Sequence, residues 1–188
     1  MSSPLQKALV FKFLSRTLAY PNQAFIPTLV EVSDEIETGK EERQALIRAF
    51  ELEETEPLQA EYTRLFINGY PHTACPPYES IYLEKRMHGD AAVAVSAAYA
   101  EWEMTVEPGL IDHLSTELEF LAFLASAESL DKAVSKDAQK ASERFIRQHL
   151  CRWVPQFIDD LKEGAKLEAY RKLGELMESV LGEYCEKG

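Results

Sequence analysis

Cysteine is scarce in this chain, and its placement excludes most of what cysteine is used for. Cys75, Cys151 and Cys185 are the three in 188 residues, an odd number at wide spacing with no CxxC pair. That pattern points to neither a disulfide framework nor a zinc knuckle, and reduced thiols in a cytoplasmic protein are expected. Long apolar runs are missing too. No uncharged stretch approaches the roughly 20 residues that span a bilayer, so a soluble chain is expected. The apolar run from Ala8 to Phe11 is followed by Lys12 and Arg16, unlike the core of a secretory signal. Basic residues are in the minority, 20 against 32 acidic ones, for a net charge of -12. Such a field repels phosphate backbones and anionic lipid, which counts against nucleic acid or stable membrane insertion, and it attracts a basic peptide. No Gly-rich phosphate loop is present: Gly39-Lys40 is followed by Glu41 and lacks the upstream glycine. Neither G-x-S-x-G nor a Cys-His nucleophile motif occurs. Alternating β-branched runs and fixed-period repeats are also absent, which removes sheet and solenoid architectures.

What is present has helical period throughout. Ser3-Pro4 reads as a helix start with Leu5, Ala8, Leu9, Phe13 and Leu18 as its buried stripe, ending before Tyr20-Pro21. Asn22 caps a second helix with Phe25, Leu29, Val32 and Ile36 on one face, closed by Gly39 in a left-handed cap. A short charged helix runs from Glu41 to Phe50, and Pro57 opens another that carries Leu58, Tyr62, Leu65 and Phe66. The breakers between Asn68 and Ser80, one glycine and three prolines, demand a fixed irregular path. Asp90 caps an Ala-rich helix to about Trp102, and a further helix runs from Asp112 to about Ser129 with Leu114, Leu118, Leu121 and Leu124 at helical spacing. Helices over Lys132 to Leu150, Trp153 to Lys162 and Lys166 to Tyr184 complete an all-α chain. The length suits one compact helical bundle over residues 1-188, with room for two closely packed halves, and about 70% of the unfolded surface is buried at this size.

Two blocks stand out. The first is Glu61-Tyr62-Thr63-Arg64-Leu65-Phe66 followed, after the breaker-rich loop, by Pro76-Pro77-Tyr78-Glu79-Ser80-Ile81-Tyr82-Leu83-Glu84. The second runs from Glu107 to Leu121 and contains Asp112-His113. With Phe145, His149, Leu150, Trp153, Pro155 and Phe157, and with Ala19-Tyr20-Pro21, these blocks resemble the cytoplasmic redox-enzyme maturation chaperones. That group serves trimethylamine oxide, dimethyl sulfoxide and respiratory nitrate reductases. The resemblance implies a chaperone without enzymatic activity. It would bind the N-terminal twin-arginine signal peptide of a molybdenum-containing catalytic subunit, or the N-terminal segment of a nitrate-reductase-type subunit, and assist folding and cofactor insertion before export or membrane assembly. No cofactor is implied for the chaperone itself, since the molybdopterin belongs to the client. Monomers and domain-swapped dimers both fit. Leu110 stands where the family often has proline two residues before the Asp.

The candidate peptide-binding residues are Pro76, Pro77, Tyr78, Glu79, Ser80, Tyr82, Leu83, Glu84, Asp112, His113 and Glu117. The prolines stiffen the backbone, Tyr78, Tyr82 and Leu83 offer amphipathic area, and Glu79 and Glu84 can pair with basic groups. A groove between the Pro76 to Glu84 segment and the helix near Asp112 is the expected seat. Adjacent helical residues point about 100° apart, so Asp112 and His113 form no catalytic dyad by sequence contact alone, and Asp112 also suits a helix cap. His149 reads as a packing or helix-end residue beside Trp153, and His88 as surface. Two other classes remain open: a helical metal-dependent hydrolase that uses His113 and Glu117 with remote donors, and a helical module for some other protein partner.

Overall fold

A computed structural model of the chain describes residues 3-70, 72-130 and 132-185. Helix α1 (Pro4–Thr17) starts where the sequence places it: Ser3 is extended and its Oγ accepts from the Gln6 N-H. Its stripe differs, since Leu5 is 48% exposed and Leu9 half-buried while Phe11 and Leu14 join Ala8, Phe13 and Leu18 in the core. Helix α2 (Phe25–Asp34) buries Phe25, Leu29 and Val32, with Ile36 buried just beyond it, and Asn22 Oδ1 accepts from the Ala24 N-H at its entry. Gly39 is left-handed, φ +64°, but it introduces α3 (Lys40–Glu51) instead of closing α2. Helix α4 (Thr55–Tyr62) continues into a wide turn over Thr63–Ile67. In the loop beyond, a Cβ on Gly69 would come within 2.7 Å of both the Arg64 and His72 carbonyl oxygens, so only glycine fits. Pro71 of that loop lies outside the described residues.

Short α5 (Glu79–Glu84) is followed by α6 (Asp90–Ala100), whose cap position is Gly89. Helix α7 (Leu114–Leu130) begins after Asp112 and is the main partner of α1. Helix α8 (Ser135–Phe145) passes through a second wide turn, Ile146–Leu150, directly into α9 (Cys151–Gly164), where the sequence reading has a break. Pro155 lies inside α9 and cannot donate to the Cys151 carbonyl, so the helical ladder is weakened next to that turn. Helix α10 (Glu168–Cys185) packs on α9 and α3. The all-α class stands: the described residues contain no strand, only one isolated antiparallel bridge between Tyr78 and His113.

One connected core joins α1 through α10, and burial of each Phe or Leu in it contributes roughly 1.5 to 3 kcal/mol. A chain of ring contacts crosses it: Phe25 to Phe50 (5.0 Å), Phe50 to Tyr170 (5.4 Å), Tyr170 to Phe66 (5.8 Å), Phe66 to Phe157 (6.3 Å) and Phe157 to Trp153 (5.7 Å). Its last link is Trp153 to Tyr82 at 5.3 Å. The cysteines depart from expectation. Cys151 and Cys185 form a disulfide, while Cys75 alone keeps a free and buried thiol. The two partners meet because α9 and α10 lie antiparallel, a pairing that their 34-residue separation does not announce.

Candidate functional site

The two sequence blocks are zipped together. The Glu79 N-H donates to the Asp112 carbonyl (3.0 Å) and the Leu114 N-H to the Pro77 carbonyl (2.9 Å), which makes the bridge between Tyr78 and His113. No open groove separates the segments there. The Asp-His pair then does two different jobs, because neighbouring side chains in extended backbone point to opposite sides. Asp112 Oδ2 accepts from the Ser80 N-H at 2.8 Å, near the start of α5. His113 Nδ1 accepts from the Ser115 N-H at 3.1 Å, at the start of α7, and lies 2.6 Å from Ser115 Oγ. Since Nδ1 accepts, the neutral imidazole carries its proton on Nε2. Burial, only partly opposed by the Asp112 carboxylate, holds the His113 pKa down to about 4, which keeps that acceptor free. Capping is thus realised as the sequence allows, except that Asp112 serves α5 and His113 serves α7.

Behind this seam lies a buried polar cluster. Glu79 and Glu117 have no exposed surface. His149, in the turn before α9, places Nδ1 3.0 Å from Glu79 Oε2 and 3.2 Å from its Oε1. The Trp153 Nε1-H donates to Glu117 Oε2 at 3.3 Å. Glu117 Oε1 and Ser80 Oγ have no protein partner. Burial, and then the charge of Glu79, raises the Glu117 carboxyl well above the ordinary range, which favours its neutral form. A neutral Glu117 leaves less uncompensated charge in the interior beside Glu79.

The outer face of the seam is apolar and aromatic. Tyr78, Tyr82, Leu83 and Pro76 are half-buried, and Leu110 and Met87 are exposed on the segments that leave the site. The Tyr78 ring meets His113 edge-on at 4.9 Å. The Tyr82 hydroxyl donates to Asp160 Oδ2 (3.0 Å), and the Gln156 amide donates to Asp160 Oδ1 (2.8 Å). Asp160 is half-buried on this rim.

Of the residues singled out in the sequence, Tyr78, Tyr82, Leu83 and Pro76 reach solvent, while Pro77, Glu79, Ser80, Asp112, His113 and Glu117 lie inside and set the geometry. Glu84 is engaged as well: its carboxylate accepts from the Ala91 N-H (2.7 Å), the Asp90 N-H (3.0 Å) and Arg86, bonds that hold its pKa below the ordinary value. The Glu61 to Phe66 block forms a structural clamp. Arg64 forks onto both Glu61 oxygens at 2.8 Å and reaches the Gly164 carbonyl, while Glu61 Oε1 accepts from the Lys166 N-H. His149, Trp153 and Asp160 were missed as site residues. Their offsets of four and seven place them on one face of α9 and its entry turn, the signal from which they can be read.

His113 uses one ring nitrogen on Ser115 and Glu117 one carboxylate oxygen on Trp153. Among the described residues no group of three or more His, Cys, Asp or Glu is placed to hold a metal ion. Among the same residues no helix is long and apolar enough to cross a membrane.

The model of the family described as nitrate reductase delta subunit matches residues 31–159. The chaperone protein TorD of Vibrio cholerae serotype O1 is 33% identical over 108 residues, 54% of this chain and 49% of that protein, so the match spans about half of its length. The chlorate reductase assembly chaperone protein of Ideonella dechloratans is 32% identical over 143 residues, covering 70% of this chain and 74% of that one. A redox enzyme maturation protein from Archaeoglobus fulgidus superposes with a TM-score of 0.66 over 93% of both chains at 22% identity, which shows a shared fold.

Proposed function

Because this chain belongs to the nitrate reductase delta subunit family, whose named members are molybdoenzyme assembly chaperones and not enzymes, we propose that it receives the N-terminal signal peptide of a molybdenum-containing reductase subunit and holds that subunit until it is assembled. The observation that carries this reading is the edge of the seam, where half-buried Tyr78, Tyr82 and Leu83 reach solvent, Tyr82 bonds the Asp160 carboxylate, and the backbone is pinned by Asp112 and His113. Rigid aromatic area next to an acid suits a peptide that has an apolar stretch and an arginine pair.

The peptide lies across the outside of the seam, because the seam itself is closed by hydrogen bonds. Apolar contact supplies most of the affinity. Hiding about 300 Å² of apolar area yields roughly 7 to 8 kcal/mol gross, before the cost of ordering the peptide. An exposed Arg-carboxylate pair adds only about 0.2 to 1 kcal/mol, which serves selection more than strength. The chaperone works by occupancy: while the segment is covered, export machinery cannot read it, and release follows when the folded client no longer offers it.

Calorimetric titration with a twin-arginine signal peptide tests this, alongside versions with Lys-Lys or with a polarised apolar stretch. Saturable binding that is lost with the polar stretch and weakened by Lys-Lys supports the reading. Binding only to the N-terminal segment of a nitrate-reductase catalytic subunit would reassign the client class, and no binding to either would refute it.

A further inference from the structure

Cys151 is the first residue of α9 and Cys185 the last of α10, and their disulfide brings Cα atoms 34 residues apart to 5.3 Å. Both are half-buried. They sit on the wall of a surface groove of about 380 Å³ with Val154, Pro155, Ile158 and Leu181. That groove is wide enough to admit an external thiol, and access is what thiol-disulfide exchange requires. The end of α10 is held in part by Tyr184, which packs half-buried on the core. Leu181 is its last fully buried side chain, and beyond it only Tyr184 makes a ring contact, with Phe11 at 5.4 Å. We infer that the Cys151–Cys185 bond is a redox-operated tie: closed, it fastens the last turn of α10 to the start of α9, and open, it lets that turn move without unfolding the core.

The chemistry is a two-electron exchange. A thiolate of an external dithiol attacks one sulfur and forms a mixed disulfide. Its second thiol then displaces the protein sulfur, leaving Cys151 and Cys185 as thiols and the reductant as a disulfide. In the other direction, glutathione disulfide takes two electrons and two protons from the pair and leaves as two glutathione thiols. Cys75 provides an internal control. It is 0% exposed, and burial holds its thiol up at about 12, so it forms almost no thiolate in the folded protein. The tie also lies directly before the α9 segment that carries Trp153, and two residues after His149, so its state reaches the helix behind the seam. This inference does not depend on what the seam binds.

The test equilibrates the full chain in glutathione buffers from oxidising to reducing, alkylates the native protein briefly, and counts the labelled cysteines by mass. The expected result is one concerted change from zero to two labelled cysteines in the native protein, with Cys75 unlabelled throughout. Opening should lower the Tm by something on the order of 10 °C, since a loop of this size is released, and speed amide exchange in the last turn of α10. The Cys151→Ser/Cys185→Ser variant should match the reduced wild type and ignore glutathione. A bond that opens only in denaturant, a pair that never closes in oxidising buffer, or opening with unchanged Tm and exchange would each overturn the inference. Because the wild type alone supplies these readouts, a poorly folding variant does not rescue it.

Discussion

Glu117 and His113 impose opposite pH slopes on stability, and replacing either one exposes the other. The Glu117 carboxyl is buried, has one oxygen without a protein partner, and is raised well above its ordinary 4.5 by burial and then by Glu79. Above that ordinary value the unfolded chain has released a proton that the folded chain keeps. Stability therefore falls as pH rises, by about 1.4 kcal/mol per unit, until the raised folded pKa is passed. His113 runs the other way. Burial moves it from 6.5 to about 4, so between those values the unfolded chain holds a proton that the folded chain lacks, and stability rises with pH. From about pH 5 to 6 the two slopes oppose each other in the wild type. Glu117→Gln keeps the shape and the bond from Trp153 but cannot ionise, so its stability relative to wild type should grow by about 1.4 kcal/mol over that unit. His113→Asn keeps an acceptor for the Ser115 N-H but cannot be protonated, and its relative stability should shrink by about the same amount. Urea unfolding at several pH values measures both differences, and groups common to all variants drop out. Two variants whose stability runs parallel to wild type across this interval would refute the assignment of a neutral Glu117 and a neutral His113.

His149→Ala removes the partner of a fully buried carboxylate and should cost about 3 to 5 kcal/mol in thermal or urea unfolding, with part of the loss restored by adding Glu79→Gln. A loss below about 1 kcal/mol would mean that Glu79 is satisfied by other means. Asp160→Asn should leave the fold intact and weaken a twin-arginine peptide by up to about fivefold, the most that an exposed charge pair supplies, while Tyr82→Phe should cost only about 0.5 to 1.5 kcal/mol of stability. Unchanged calorimetric affinity in Asp160→Asn would remove that carboxylate from the proposed contact.

The helices were legible because each local signal agreed with the next. Ser3-Pro4 starts α1, and the spacing of Phe25, Leu29, Val32 and Ile36 selects the buried face. The errors fall where a local signal has a distant partner. Asp112 looks like the cap of the helix it precedes, yet it caps α5, 32 residues earlier in the chain, because an extended bridge turns its side chain away from α7. Gly39 supplies the left-handed turn but on the other side of the connection. Glu79 and Glu84 read as free acids for a basic partner, since sequence shows charge but not the His149 or the α6 N-H groups that already occupy them. The cysteine pairing was hidden for the same reason: spacing along the chain says nothing about two helix ends that meet only when α9 and α10 pack.

These misreadings share a consequence for how the site works. In the sequence, the acidic and aromatic residues of the motif look like a contact list. In the fold, Glu79, Asp112 and Glu117 face inward, Glu84 is taken up by Arg86 and the α6 N-H groups, and only part of the aromatic edge faces out. A buried carboxylate opposite His149 and a neutral Glu117 beneath Trp153 add little to peptide affinity directly. They fix where Tyr82 and the bridge backbone stand, because a paired or protonated group leaves the interior no cheaper alternative arrangement. Substitutions at Glu79 or Glu117 should therefore change stability and peptide affinity together, whereas substitutions at Leu83 or Asp160 should change affinity more than stability. That division separates a scaffold that presents an edge from a pocket that swallows a charge.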